Sequence, residues 1–194
     1  MITTDQVKAL RDKTGISVMQ CKKALENAEG DMEKALQILK AKGVEIASKK
    51  SDRALQAGTV ASYVHNNGSV ASLVLLLCET DFVARNEEFK TLARDIAMHV
   101  TAMNPEFVSQ KDITPLSMEK AREVFAKEVE AVDKPQELKE KMLAGKIDSY
   151  FKERTLLDQA FIKNTDQTIQ TLLTEAIQKF GENIEIGKFV RCGV

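Results

Sequence analysis

The chain has 194 residues, 43% of them apolar and 29% charged, and its 28 basic and 29 acidic groups leave a formal net charge of −1. That balance excludes a global basic field for nucleic acid or an anionic membrane, and no apolar run reaches the length of a membrane-spanning helix. The apolar content supports one medium domain or a small domain joined to a larger one.

Charge is not evenly spread. Residues 1–50 carry ten basic and seven acidic groups and residues 51–194 carry 18 and 22, so the N-terminal piece is mildly basic. The three cysteines, Cys21, Cys78 and Cys192, are far apart and form no CxxC or His-paired spacing. Reduced thiols are expected, without a disulfide framework or a zinc site. The opening Met-Ile-Thr-Thr-Asp has neither signal-peptide nor transit-peptide character, and a cytoplasmic protein is the expectation.

Residues 1–43 read as three short helices. Thr3-x-x-Gln6 and Ser17-x-x-Gln20 are capping boxes, Gly15 and Gly30 are stops, and Asp31 caps a third helix expected to end at Gly43. Val7, Leu10, Cys21, Ala24, Leu25, Ala35, Ile38 and Leu39 supply the inward positions. Two readings of this piece compete. A helix-turn-helix DNA reader would need base-reaching cations, and Lys22 and Lys23 support it weakly. A docking bundle of the ubiquitin-associated kind would use the Thr14-Gly15-Ile16 loop with Val18 and Met19.

Residues 44–56, with Lys49, Lys50 and Arg53, read as a polar linker that is helical in part. A hairpin follows: Thr59 to His65 alternates with Val60 and Val64 on one side, Asn67-Gly68 supplies the turn, and Val70 to Leu77 is an apolar return strand with both faces expected to be covered. At Glu79-Thr80-Asp81-Phe82-Val83-Ala84-Arg85-Asn86 that run stops and an amphipathic helix begins, with Phe89, Leu92, Ala93, Ile96, Ala97, Val100 and Met103 at helical spacing. Phe82 stands one heptad before Phe89, but Arg85 and Asn86 interrupt the stripe. Phe82 is either a staple packed over the helix start or an exposed anchor beside the carboxylate of Asp81, and spacing does not choose.

Asn104-Pro105 breaks the helix, and a new one starts at Pro115 with Met118, Ala121, Phe125, Val129 and Val132 as its buried stripe. The next opens at Pro135 and is expected to stop at Gly145, with a further helix over Ile147 to Phe151 and an ordered loop over 156–164. Asp166 is the expected cap of a helix carrying Ile169, Leu172, Leu173, Ala176, Ile177 and Phe180; Gly181 ends it, and Asn183 to Val190 forms a last strand. The fold class is therefore α+β: a three-helix domain over 1–50 and a core domain over 51–194 built on a small three-stranded antiparallel sheet packed with helices.

Phosphate loops, metal motifs and nucleophile triads are missing from the sequence, and His65 and His99 lack ligand-spaced partners. Neither an enzyme activity nor a cofactor or metal is expected. Leu10-Arg11-Asp12-Lys13-Thr14-Gly15 with Cys21-Lys22-Lys23-Ala24-Leu25, the 79–86 stretch, Leu156-Leu157-Asp158-Gln159-x-Phe161 and Gly181-Glu182-Asn183-Ile184 follow in an order that resembles the elongation factor Ts family over essentially the whole chain. Gly187-Lys188 departs from the pair of basic residues usual in that family.

The resemblance implies a guanine-nucleotide exchange factor that binds GDP-bound elongation factor Tu. Phe82 would wedge into the partner's GTPase domain and Asp81 would intrude near its Mg²⁺ site, with Thr80 and Val83 completing the motif. Arg11, Val18, Met19 and Lys22 would be N-terminal contacts, and the N-terminal domain would be ubiquitin-associated-like. The short, one-core form implies a homodimer, which also suits a sheet too small to cover its own edges and faces. Cys192, beside the last strand, is the candidate for an intersubunit disulfide that a reducing cytosol disfavours. Direct nucleic-acid or membrane binding is not expected; the competing reading is a nucleic-acid-binding regulator using the basic three-helix piece.

Overall fold

The computed structural model describes residues 2–194, which divide into two compact units. The first comprises the chain up to Thr59 with Leu76–Lys90 and Thr171–Glu185; the second comprises Val60–Leu75, Thr91–Gln170 and Ile186–Val194. β1 (Ala57–Val64), β2 (Val70–Cys78) and β5 (Ile184–Gly193) form a three-stranded sheet in the order β1-β2-β5.

In the first unit, α1 (Thr4–Thr14), α2 (Val18–Asn27) and α3 (Met32–Lys50) start as their caps dictate. Thr3 and Gln6 form a reciprocal capping box, and the Ser17 hydroxyl accepts from the Gln20 N–H. The Asp31 carboxylate accepts from the N–H groups of Glu33 and Lys34, which hold it below the usual carboxylate range. Gly15 closes α1 in the left-handed region at φ 68°. Val7, Leu10, Ile16, Cys21, Ala24, Leu25, Ala28, Ala35 and Leu39 form one buried cluster.

The third helix does not stop at Gly43. It runs on to Lys50, so residues 44–50 are the helical part of the expected linker. Gly43 is buried, and a Cβ there would meet the Gln178 Oε1 at 2.9 Å and the Thr174 Cγ2 at 3.3 Å. Both belong to α8 (Ile169–Phe180), so the glycine permits close helix packing and is not a terminator.

In the second unit, α5 (Glu87–Met103) contributes its later turns, and the Ser72 hydroxyl of β2 donates to the Ala97 carbonyl at 2.6 Å. Even-numbered β2 residues Ser72, Val74, Leu76 and Cys78 are buried, while Leu73 on the opposite face is exposed. The expectation that both faces of this strand are covered fails within one chain. Val60 and Val64 share a side as read, but it is the outward one.

Helices α6 (Pro115–Glu130) and α7 (Gln136–Arg154) form an antiparallel pair in which Phe125 and Tyr150 meet edge to face at 5.4 Å. Ala121 and Val129 are buried on α6 as read, but Met118 is exposed. Gly145 interrupts nothing: α7 passes straight through it, and no atom lies within 4 Å of where its Cβ would be. The stretch read as a loop holds a 3₁₀ turn (Leu156–Asp158) and a two-stranded hairpin, β3 (Ala160–Phe161) with β4 (Asn164–Thr168). Asp166 lies in β4 and is not the cap of α8.

His99 is fully buried against that hairpin. Its Nδ1 accepts the Ile162 N–H at 3.3 Å and its Nε2 bonds the Gln159 Oε1 at 2.9 Å, which fixes the Nε2–H tautomer. Burial pushes its pKa down, and the Gln159 bond opposes that in part.

Candidate functional site

The corner between β2 and α5 lies in the first unit. Thr80 leaves the strand in extended geometry and N-caps a four-residue helix, α4 (Asp81–Ala84), its hydroxyl accepting the Val83 N–H at a long 3.5 Å. Asn86 then starts α5, its carboxamide oxygen accepting from the Glu88 N–H at 2.8 Å. Two caps six residues apart break the helical register between Phe82 and Phe89. The consequence is an opposite fate for these two phenylalanines. Phe89 is fully buried, edge-on to Phe180 at 5.9 Å, whereas Phe82 is 84% exposed. The staple reading of Phe82 is thereby excluded in this chain.

Asp81 and Thr80 are exposed and Val83 is half-buried, while Ala84 is tucked inward and seats the turn. Asp81 pairs with Arg85 at 2.9 Å, one turn on and mostly in solvent, so this bond is readily exchanged for another partner. The Cys78 thiol donates to the Thr80 carbonyl at 3.2 Å. Burial, and after it the charge of Glu182, push that thiol's pKa up, which keeps it a donor.

The other sequence-read residues lie in the same unit. Val18 and Met19 are exposed at the start of α2, Met19 at 80%, and Lys22 lies one turn on, loosely paired with Glu26 at 3.8 Å. Arg11 lines a polar hollow with Lys13, Gly15, Glu88 and Lys179, which brings the end of α1 to the start of α5. Lys179 spans that hollow to Glu88 at 2.9 Å.

What spacing missed is the support beneath the corner. The Glu182 carboxylate accepts the Glu79 and Thr80 N–H groups at 3.1 and 3.0 Å and the Thr80 hydroxyl at 2.5 Å. The only hint in the sequence is Gly181-Glu182-Asn183, an acid directly after a helix-stopping glycine. Among the described residues no three His, Cys, Asp or Glu side chains are grouped to hold a metal ion, and no helix is long and apolar enough to cross a membrane.

A family description, Elongation factor TS, matches residues 4–194. The chain belongs to the elongation factor Ts family. Relatives named Elongation factor Ts include that of Carboxydothermus hydrogenoformans, 49% identical over 191 residues that cover 98% of this chain and 88% of the relative. Those of Alkaliphilus metalliredigens and Syntrophus aciditrophicus are 48% and 46% identical over 190 residues, covering 98% of this chain and 88% and 94% of theirs. The role that elongation factor Ts membership carries is that of a translation elongation factor.

Proposed function

We propose that the chain is a guanine-nucleotide exchange factor for elongation factor Tu, acting in the cytoplasm without a cofactor and without covalent chemistry of its own. It binds the GDP-bound partner, Phe82 enters an apolar pocket of the GTPase domain, and Asp81 approaches the Mg²⁺ region, with Thr80 and Val83 shaping the contact. Mg²⁺ and the phosphate loop together grip a bound diphosphate, so a protein that prefers the state with both displaced loosens GDP by differential binding alone. Arg11, Val18, Met19 and Lys22 form a second contact that contributes affinity.

The observation that carries this reading is the 84% exposure of Phe82 on a capped corner. An aromatic ring kept in water beside an acid is the form that interface anchors take. Release of a fluorescent GDP analogue from elongation factor Tu, driven by catalytic amounts of this chain, is the test. An unstimulated release rate would overturn the reading.

The working form is a homodimer in which a second copy covers the outward sheet face. Val60, Val64, Leu73 and Val190 are all exposed there in the single chain, and an apolar sheet face of this kind favours a partner. Sedimentation at micromolar concentration should find dimer, with Leu73→Arg giving monomer; monomer for the unaltered chain would refute it.

A further inference from the structure

A helix of four residues cannot hold its own direction in water, because a single turn does not repay nucleation. The cap on α4 is weak as well, since the Val83 N–H reaches the Thr80 hydroxyl only at 3.5 Å. What fixes the turn is the loop after α8. Gly181 ends that helix in the left-handed region at φ 74° and delivers Glu182 beneath the corner. One carboxylate oxygen accepts both the Glu79 and Thr80 N–H groups, and the other accepts the Thr80 O–H.

That last bond decides how Thr80 caps. With its proton committed to Glu182, the hydroxyl turns a lone pair to the Val83 N–H of α4. The brace is also reciprocal. Glu79 Oε1 accepts the Asn183 N–H at 2.6 Å and the Arg53 guanidinium at 3.4 Å, so each loop's carboxylate satisfies the other's backbone. The Lys50 ammonium, at the end of α3, donates to the Gly181 carbonyl and holds the second loop in turn.

We propose that Glu182 is a positioning residue for nucleotide exchange: acting through Thr80, it keeps α4 in one orientation so that the exposed Phe82 ring meets its partner already aimed. The inference rests on the exchange reading above. A wedge on a loose turn must be ordered during binding, and that ordering diminishes the force it exerts on the partner. Glutamine is the revealing replacement, because its carbonyl can accept the two N–H groups while its amide donates to one lone pair of the Thr80 hydroxyl and leaves the other for the Val83 N–H. Alanine removes all three bonds.

The test compares full-length Glu182→Ala, Glu182→Gln and Phe82→Ala in stimulated GDP release over a range of factor concentrations. If Glu182→Ala lowers the aimed population to about a tenth, the maximal rate falls about tenfold while the half-maximal concentration, set by docking elsewhere, stays unchanged. Glu182→Gln should recover most of that rate. Amide hydrogen exchange of the unaltered chain supplies a check that needs no variant to fold: the Glu79 and Thr80 N–H groups should be protected although Thr80 is exposed. Unprotected amides, a Glu182→Ala maximal rate equal to the parent's beside an impaired Phe82→Ala, or a folded Glu182→Gln as slow as Glu182→Ala would each overturn the positioning role and leave the exchange reading standing. Normal stimulation by Phe82→Ala would overturn the exchange mechanism itself.

Discussion

Phe82→Ala separates binding from folding, since the ring is 84% exposed and has little to lose in the free chain. A phenylalanine buries roughly 150–250 Å² when enclosed, and at about 25 cal/mol/Å² that is on the order of 4–6 kcal/mol of gross transfer energy. Alanine keeps its own methyl group, and part of the transfer energy offsets side-chain ordering, which leaves about 2–3 kcal/mol, the range of a genuine anchor. Stimulated GDP release at saturating factor should therefore fall by roughly 30- to 150-fold, one decade for each ~1.4 kcal/mol. Stability should move by less than ~0.5 kcal/mol, as for other surface changes, which shifts Tm by no more than about 2 °C for a chain of this size. The assay is fluorescent-GDP release beside a thermal melt of the same preparation. A variant that melts well below the parent, yet stimulates release normally while folded, would show that the ring belongs to the fold and not to the partner.

Phe89→Ala should do the reverse, losing about 3–5 kcal/mol in urea unfolding because it empties a fully buried site against Phe180. Two helical glycines should respond with opposite signs. Gly145→Ala should stabilise by roughly 0.5–1 kcal/mol, since nothing obstructs its methyl group, whereas Gly43→Ala should destabilise because its methyl group meets Gln178 and Thr174. Met19→Glu should raise the factor concentration needed for half-maximal release and leave the maximal rate alone. His99 supplies a pH test. Its folded pKa lies below the ordinary 6.5, so the unfolded chain binds more protons, and stability falls as pH drops from about 6.5 through the folded value before levelling off. Urea midpoints between pH 7.5 and 5 should show that loss, and His99→Gln should flatten it.

The starts of α1, α2, α3 and α6 were legible because the caps Thr3, Ser17 and Asp31 and the opening Pro115 act locally, within one turn of the chain. The stops were less so. Gly15 ends a helix by taking the left-handed region, while Gly43 and Gly145 keep helical backbone, the one packed on α8 and the other open to solvent, and no local pattern tells these glycines apart. The β3–β4 hairpin escaped notice because its strands are short and β4 is polar, and Asp166 resembles a cap until the hairpin claims it. The corner motif was legible as a break in helical register, but its outward direction was not. That direction depends on Ala84 seating the turn and on Glu182, 102 residues away in the chain.

The charges around Phe82 act as gatekeepers. An aromatic ring left in water invites self-association, yet Asp81 and Arg85 flank it, with Glu87 and Glu88 close behind. Any surface that takes in the ring must also accommodate a carboxylate and a guanidinium at fixed offsets, or strip their water without return. A greasy pocket alone is thus rejected. On the exchange reading proposed above, selectivity at this corner would come from its neighbours' demand for matching charge, while the ring would supply the adhesion.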